Sequence, residues 1–260
     1  MTTVNPYAAP KAAVADETVI LNADFVPGGR ARPGGHGWTW IAEGWELFRR
    51  QPGMWIGIVL LLFVIMIAAA FIPFIGGLLM TLFAPVFAAG IVIGCKALDG
   101  GGALELGHLF AGFRGRTGTL IGVGALYLAA SLAIMLVVGL TMGVGMGAMM
   151  GQGDPQDMMA LGMTMVLAML VVFALLLPVI MAVWFAAPLV VFHEHGALDA
   201  MKGSFTGCLR NIVPFLLYGV VLLVASIVAS LPLLLGWLVL GPVLAASLYT
   251  AYRDIYLKPR

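Results

Sequence analysis

The sequence predicts an all-α integral membrane protein: a six-helix bundle built as three helical hairpins, with amphipathic helices along the cytoplasmic interface. Three observations carry that expectation. The 260 residues are 62% hydrophobic and 10% charged, with a mean hydropathy of +1.07, whereas soluble domains carry about 25% charged residues. Six apolar runs recur, each long enough to cross a hydrocarbon core that needs ~20 helical residues. All 13 Lys and Arg fall in the segments on one side of those runs, and the positive-inside rule makes that side cytoplasmic.

Residues 1–36 are polar and carry Pro, Gly and Ala throughout, with no basic start and apolar core of a secretory signal. They read as a disordered cytoplasmic tail preceding a membrane domain over 37–260. "GHGWTWIAEGWELFRRQPG" then concentrates aromatics and charges just before charge disappears. Trp38, Ile41, Trp45 and Phe48 recur at helical spacing, and Trp40 adds a further indole. Such a helix is expected to lie in the cytoplasmic interface, where indole rings prefer the headgroup level. QPG breaks it, and the spans follow at about 54–72, 75–95, 119–138, 161–192, 212–231 and 233–252. The fourth is longer than one straight crossing needs and contains Pro178 and Pro188, so a kink or tilt is expected in it. Pro73-x-x-x-Gly77 and Pro232-x-x-x-Gly236 share one spacing and read as tight hairpin turns, with proline stopping a helix and glycine supplying unusual backbone angles.

The cytoplasmic set comprises Lys11, Arg30, Arg32, Arg49 and Arg50, then Lys96, Arg114 and Arg116. Lys202 and Arg210 follow, and finally Arg253, Lys258 and Arg260. The loops on the other side carry Asp154 and Asp157 but no cation. Both termini are therefore expected in the cytoplasm.

A repeat organises these elements. "LELGHLFAGF" and "ALDAMKGSFTGC" offer apolar faces like that of the tryptophan helix, and each is followed by an arginine and a span. Aligning Arg49, Arg114 and Arg210 gives three copies of interfacial helix, arginine, outward span and returning span. The returning spans carry Pro85-Val-Phe-Ala-Ala, Pro178-Val-Ile-Met-Ala and Pro242-Val-Leu-Ala-Ala. The middle copy holds a long insertion. Internal repeats of this kind set the whole architecture.

"WTWIAEGWELFRRQPGMWI", "PVFAAGIVIGCKALDGG" and "HLFAGFR" resemble an uncharacterised family of proteobacterial polytopic inner-membrane proteins, through a W-x-W-I-x-E-G-W-x-L-F motif. More distantly, the six-helix pattern resembles the membrane domain attached to some glycerophosphodiester phosphodiesterases. The resemblance implies a bacterial inner-membrane location and a helical fold; it brings no set of functional residues.

Four features bear on function. Gly139, Gly143, Gly147 and Gly151 form a strip at every fourth residue, which lets helix backbones approach within a bilayer, either inside the chain or in a homo-oligomer. The methionines around them suit Cu(I) by chemistry and apolar filling by base expectation; filling is preferred. His193 and His195 point to different faces of a helix, so no metal site is expected there. Arg49, Arg114 and Arg210, with Trp38, Trp40, Trp45 and Phe48, are the candidate membrane-interface residues, because basic groups beside a bilayer attract anionic phosphates. No Asp, Glu, Lys, Arg or His stands in the middle of a span, where ion-coupled transporters and proton relays commonly place one. No phosphate loop or nucleophile–base setting is recognisable. The near-neutral net charge of +1 gives no reason to expect nucleic acid. The expectation is a non-enzymatic protein without a cofactor that organises membrane lipid or supports assembly of a membrane partner. The alternative is a facilitator or channel for a small neutral solute.

Overall fold

The computed structural model describes residues 25–149 and 155–258, with side chains over 25–140 and 162–258. These residues form α1 (His36–Arg50), α2 (Pro52–Ala70), α3 (Ile75–Asp99), a 3-10 helix (Leu106–Arg114), α4 (Thr117–Met149), α5 (Pro155–Trp184), α6 (Ala186–His193), α7 (Ala197–Arg210), α8 (Ile212–Ser230) and α9 (Trp237–Tyr256). Among the described residues five stretches are long and apolar enough to cross a membrane: Pro52–Ala70, Ile75–Asp99, Thr117–Leu140, Gly162–His193 and Ile212–Ser230. They present Leu, Val, Ile, Phe and Met outward, which makes the chain a multi-pass membrane protein.

The expected sixth span is different in character. At 20 residues α9 is about 30 Å long, so length is not the obstacle. Its second half carries Ser247, Thr250, Arg253 and Asp254 among tyrosines, and it starts and ends four residues later than the apolar run. It packs against α1, α2, α3 and α8, so protein rather than lipid surrounds most of it.

The three arginine-ended segments interleave with the three described helices that carry a proline well inside them. α1 packs on α9 beside Pro242, the 3-10 helix packs on α3 beside Pro85, and α7 packs on α5 after Pro178. Each contact is a close approach of small residues to backbone. A Cβ on Gly44 would meet the Ser247 nitrogen at 2.8 Å, and one on Gly112 would meet the Val86 carbonyl at 2.1 Å. In the third junction the Ser204 hydroxyl sits between Phe185 N–H, which donates to it at 2.8 Å, and the Met181 carbonyl, to which it donates at 2.6 Å.

That insertion explains the break in the fourth apolar run. Phe185 N–H and Met181 C=O would be partners in an unbroken α-helix, and a side chain wedged between them opens the ladder. Pro188, lacking an N–H, leaves the Trp184 carbonyl without its helical donor as well. The chain therefore breaks at Phe185, between α5 and α6, while α5 runs through Pro178.

The turns also differ from expectation. The left-handed backbone falls on Phe74, Leu233 and Leu234, with φ of 62°, 50° and 68°, not on the glycines that follow. Gly236 has φ −59°, and its role is space: a Cβ there would lie 2.5 Å from Ala229 Cα. Gly76, not Gly77, does the same at the first turn, where a Cβ would meet the Ala69 carbonyl at 1.8 Å.

Residues 1–24 of the expected tail lie outside the described residues, and residues 25–36 do not behave as a tail. From Phe25 onward the chain is packed: Phe25 pairs antiparallel with Leu257, Val26 N–H donates to the Tyr256 carbonyl at 2.8 Å, and Arg30 N–H donates to the Ile255 carbonyl at 3.0 Å. Gly28 and Gly29 take φ of 72° and 69° to make this turn, and a Cβ on Gly29 would strike Ile255 at 2.6 Å.

Candidate functional site: a charged cavity beside the last helix

α1 is anchored through a stripe one position away from the face expected at the lipid boundary. Gly37, Trp40, Gly44 and Leu47 are buried against α8 and α9. Trp40 is 0% exposed, and its indole N–H donates to Asp254 Oδ2 at 2.9 Å. The Thr250 hydroxyl donates to the Trp40 carbonyl at 2.8 Å, so both ends of the residue are tied to α9. Phe48 is also core, at 5% exposed. Trp40 and Phe48 are therefore packing residues rather than membrane-interface ones. Trp38 and Trp45, 58% and 42% exposed, occupy the free face.

Asp254 is the node of this end. It accepts from Trp40, from His36 Nδ1 at 2.8 Å and from Arg32. Burial by itself pushes a carboxyl pKa up; the two hydrogen bonds and the Arg32 charge outweigh it and hold Asp254 below its ordinary value. One residue back, Arg253 donates to Asp99 Oδ2 at 2.6 Å and Glu43 Oε2 at 2.8 Å, bridging α9 to α3 and α1. The two carboxylates hold its guanidinium above its ordinary pKa despite the opposing effect of burial. Arg30 donates to the backbone carbonyls of Asp254, at 3.0 Å, and Leu257, closing the C-terminal end of α9, where unsatisfied carbonyls favour cations.

Between these elements lies a cavity of about 1160 Å³. Arg30, Arg32, Lys96, Arg253 and Lys258 line it together with Glu43, Asp99 and Asp254, five cations against three carboxylates, for a formal excess of +2. Its inner wall is Ile93, Phe192, Tyr249 and Tyr252, and Lys96 Nζ stands 5.4 Å from the Phe192 ring centre.

The three aligned arginines do not converge on it. Arg49 pairs with Glu46 at 2.6 Å on the exposed face of α1. Arg210 holds the Gly29 carbonyl at 2.6 Å, fastening the N-terminal segment to α7. Arg114 is exposed at the end of the 3-10 helix. In the glycine strip, a Cβ on Gly139 would meet nothing within 4 Å; the surroundings of Gly143, Gly147 and Gly151 lie outside the described residues.

His193 and His195 both pack on Phe25, whereas His36 and His108 serve other contacts. His193 Nε2 lies 2.5 Å from the Tyr252 hydroxyl, and its ring stacks on Phe25 at 3.9 Å. His108 Nδ1 accepts from Glu105 N–H at 3.0 Å. Among the described residues no group of three or more His, Cys, Asp or Glu is placed to hold a metal ion. Cys95 and Cys208 are separate buried thiols, and burial pushes that of Cys208 up to about 12.

Sequence reasoning counted Arg30, Arg32 and Arg253 for orientation but missed the site they build. A signal was present: Gly37-x-x-Trp40-x-x-x-Gly44-x-x-Leu47 is as regular as the tryptophan face chosen instead. Arg253 and Asp254 also follow an apolar run directly.

Comparison with known proteins gives one informative likeness. The chain is 27% identical over 246 residues, covering 85% of it and 90% of the other protein, to a protein of Burkholderia thailandensis named "Probable inner membrane protein". No family model matches the chain. No solved structure matches it.

Proposed function

We propose that the chain is a non-enzymatic, multi-pass protein of the bacterial inner membrane that organises lipid, or supports assembly of a membrane partner or a second copy, at the cytoplasmic surface. The observation that carries the reading is the charged end itself, where short helices pack on the ends of the long ones and a charged cavity lies between α1, α3 and α9. In this reading the chain crosses six times in three hairpins, with both termini in the cytoplasm. The interleaving of three arginine-ended segments with three proline-bearing helices supports the threefold arrangement. The confinement of Lys and Arg to one side of the apolar runs supports the orientation, and the relative's printed name supports the membrane. The non-enzymatic part rests on how the cavity's carboxylates are spent. Asp254 pairs with Arg32, and Asp99 and Glu43 share Arg253, so all three carboxylates are engaged in ties between elements of the fold.

Native mass spectrometry of the full chain, released from native membrane in mild detergent, tests the reading. Retained lipid or a retained protein partner is the expected result. A chain that flies bare, with neither, overturns it.

A further inference from the structure

Each of the three arginine-ended segments leaves an apolar edge uncovered, and the way those edges are turned points to what covers them. We infer that the free edges of α1, the 3-10 helix and α7 dock together on one surface, the lipid of the cytoplasmic leaflet, as a collar lying flat around the bundle. This deepens the membrane-organising reading above and rests on its assignment of the charged end to the cytoplasm.

Each segment has three sides. Along α1, at about 100° per residue, the packed side holds Gly37, Trp40, Gly44 and Leu47. In the direction the residues wind, Ile41, Trp45 and Trp38 come next, and the polar side with Glu46, Thr39 and Arg50 follows. On α7 the packed side is Ala200, Ser204, Gly207 and Cys208. Met201, Phe205, Leu198 and Leu209 come next, and then Lys202, Thr206 and Asp199. The 3-10 helix, with about three residues per turn, repeats the order. Leu109 and Gly112 are packed, Phe110 and Phe113 are free and apolar, and His108 and Arg114 are polar. Trp38, Trp45, Phe110, Phe113, Leu198 and Leu209 are each at least 40% exposed.

A segment lying flat at a membrane surface meets the bundle on one side, lipid beneath and water above. The order in which it meets them depends on which way it runs around the bundle. With the apolar edge beneath, the shared order makes all three run the same way, as copies related by rotation about the membrane normal do. All three apolar edges then face the bilayer and all three polar sides face the cytoplasm.

The edges also continue into surfaces that lipid already covers. Phe113 stacks on Phe83 of α3 with ring centres 5.7 Å apart, and Phe83 belongs to an apolar stretch long enough to cross the membrane. Leu209 leads to Ile212 and Val213, 46% and 65% exposed at the start of α8. The segments rest on three different helices, α9, α3 and α5, so a protein partner would have to encircle the bundle to cover every edge. The bilayer does so already. Tryptophan, phenylalanine and leucine on one face with basic residues beside them suit an interfacial helix, and Arg49 and Lys202 border the edges of α1 and α7.

The test reconstitutes the full chain in vesicles of phosphatidylethanolamine and phosphatidylglycerol. Trp45→Cys, Phe113→Cys and Leu209→Cys each carry an environment-sensitive fluorophore on an edge; Glu46→Cys, Arg114→Cys and Asp199→Cys carry it on the polar sides. Native Cys95 and Cys208 are buried. Each variant is first shown to be monodisperse, and Trp38→Cys, Phe110→Cys or Leu198→Cys replaces an edge variant that is not. Quenching is read from lipids brominated at two depths and from iodide present on both sides. The edge labels are expected at one depth, within the ~5–10 Å that the apolar face of a surface helix reaches, and shielded from iodide, with the polar-side labels open to it. An edge label open to iodide overturns the inference. So does one shielded from both quenchers, the result that a protein partner or a second copy on that edge would give. Edge labels at unequal depths, or polar-side labels quenched by lipid as strongly as the edges, overturn it too. Each of these failures leaves the broader reading standing where native mass spectrometry still finds lipid or a partner retained. A chain that retains neither, with its edge labels at one depth, sinks that reading and keeps this one.

Discussion

The two ends of the molecule use apolar residues in opposite ways. At the charged end Trp40, Leu109 and Tyr252 are at most 1% exposed, packed as in a soluble core. At the far end of α2 and α8, Phe71, Phe74 and Leu233 stand 82%, 98% and 90% exposed. Lipid solvates a leucine as well as another leucine does, so the far end gains little from burying them. At the charged end, backbone and polar groups must find partners, and glycine contacts with indole and carboxylate hydrogen bonds supply them. Specific structure is therefore concentrated where the apolar spans stop.

The sharpest way to break this comparison is to fill a glycine contact. Gly112→Leu or Gly44→Leu would drive a side chain into helix backbone that has no room to yield, at or above the ~3 kcal/mol upper end typical of overpacking. Loss of monodisperse protein in size exclusion is expected. Gly139→Leu, which meets nothing within 4 Å, leaves the profile unchanged. Equal behaviour of the two sites would erase the distinction between ends.

Tryptophan gives the next largest contrast. Trp40→Ala empties a fully buried site tied to Asp254 and is expected to cost about 3–5 kcal/mol. Trp45→Ala, on the free face of α1, stays within about 0.5 kcal/mol in denaturant titrations in detergent. A reversed order would restore the lipid-facing role first expected for Trp40.

A smaller effect isolates the carboxylate. Asp254→Asn keeps the shape but weakens three charge-assisted bonds, for a loss of about 1–3 kcal/mol near neutral pH. Because the folded pKa lies below the ordinary one, the stabilisation from Asp254 is complete above about pH 4 and fades as pH falls through the lower folded value. The wild-type thermal midpoint should therefore converge on that of the variant in acid. Parallel curves would show that Asp254 carries no such linkage.

Much of the helical layout was legible in the sequence. The first, second and fifth apolar runs match α2, α3 and α8 closely, because an apolar run bounded by QPG, Pro73 or Asn211 leaves little choice of register. The third apolar run, expected over 119–138, matches the stretch Thr117–Leu140, and its helix α4 continues to Met149, since glycine and methionine do not stop a helix as proline does. The break in the fourth run was legible as a kink from its prolines, but its place at Phe185 was not, because Ser204 lies 19 residues away in sequence and nothing local announces that its hydroxyl enters the ladder. α9 was read as a span over 233–252 from its leucines and valines; that its second half would pack against α1 and α3 was not legible, because those partners lie about 150 to 210 residues away in sequence. The cavity depends on residues 25–35 folding back onto the end of α9, and a Pro- and Gly-rich segment gives no local sign of a partner more than 200 residues on.

The account turns on the two ends facing opposite sides of the bilayer. Single cysteines at Phe74 and Leu233, and at Lys202 and Arg114, can be labelled with a membrane-impermeant maleimide in intact cells and again after inner-membrane permeabilisation. Native Cys95 and Cys208 are buried and contribute little background. Phe74→Cys and Leu233→Cys should label in intact cells with the outer membrane opened, and Lys202→Cys and Arg114→Cys only once the inner membrane is breached. Labelling of Lys202→Cys or Arg114→Cys from outside, or of all four from one side, would contradict it.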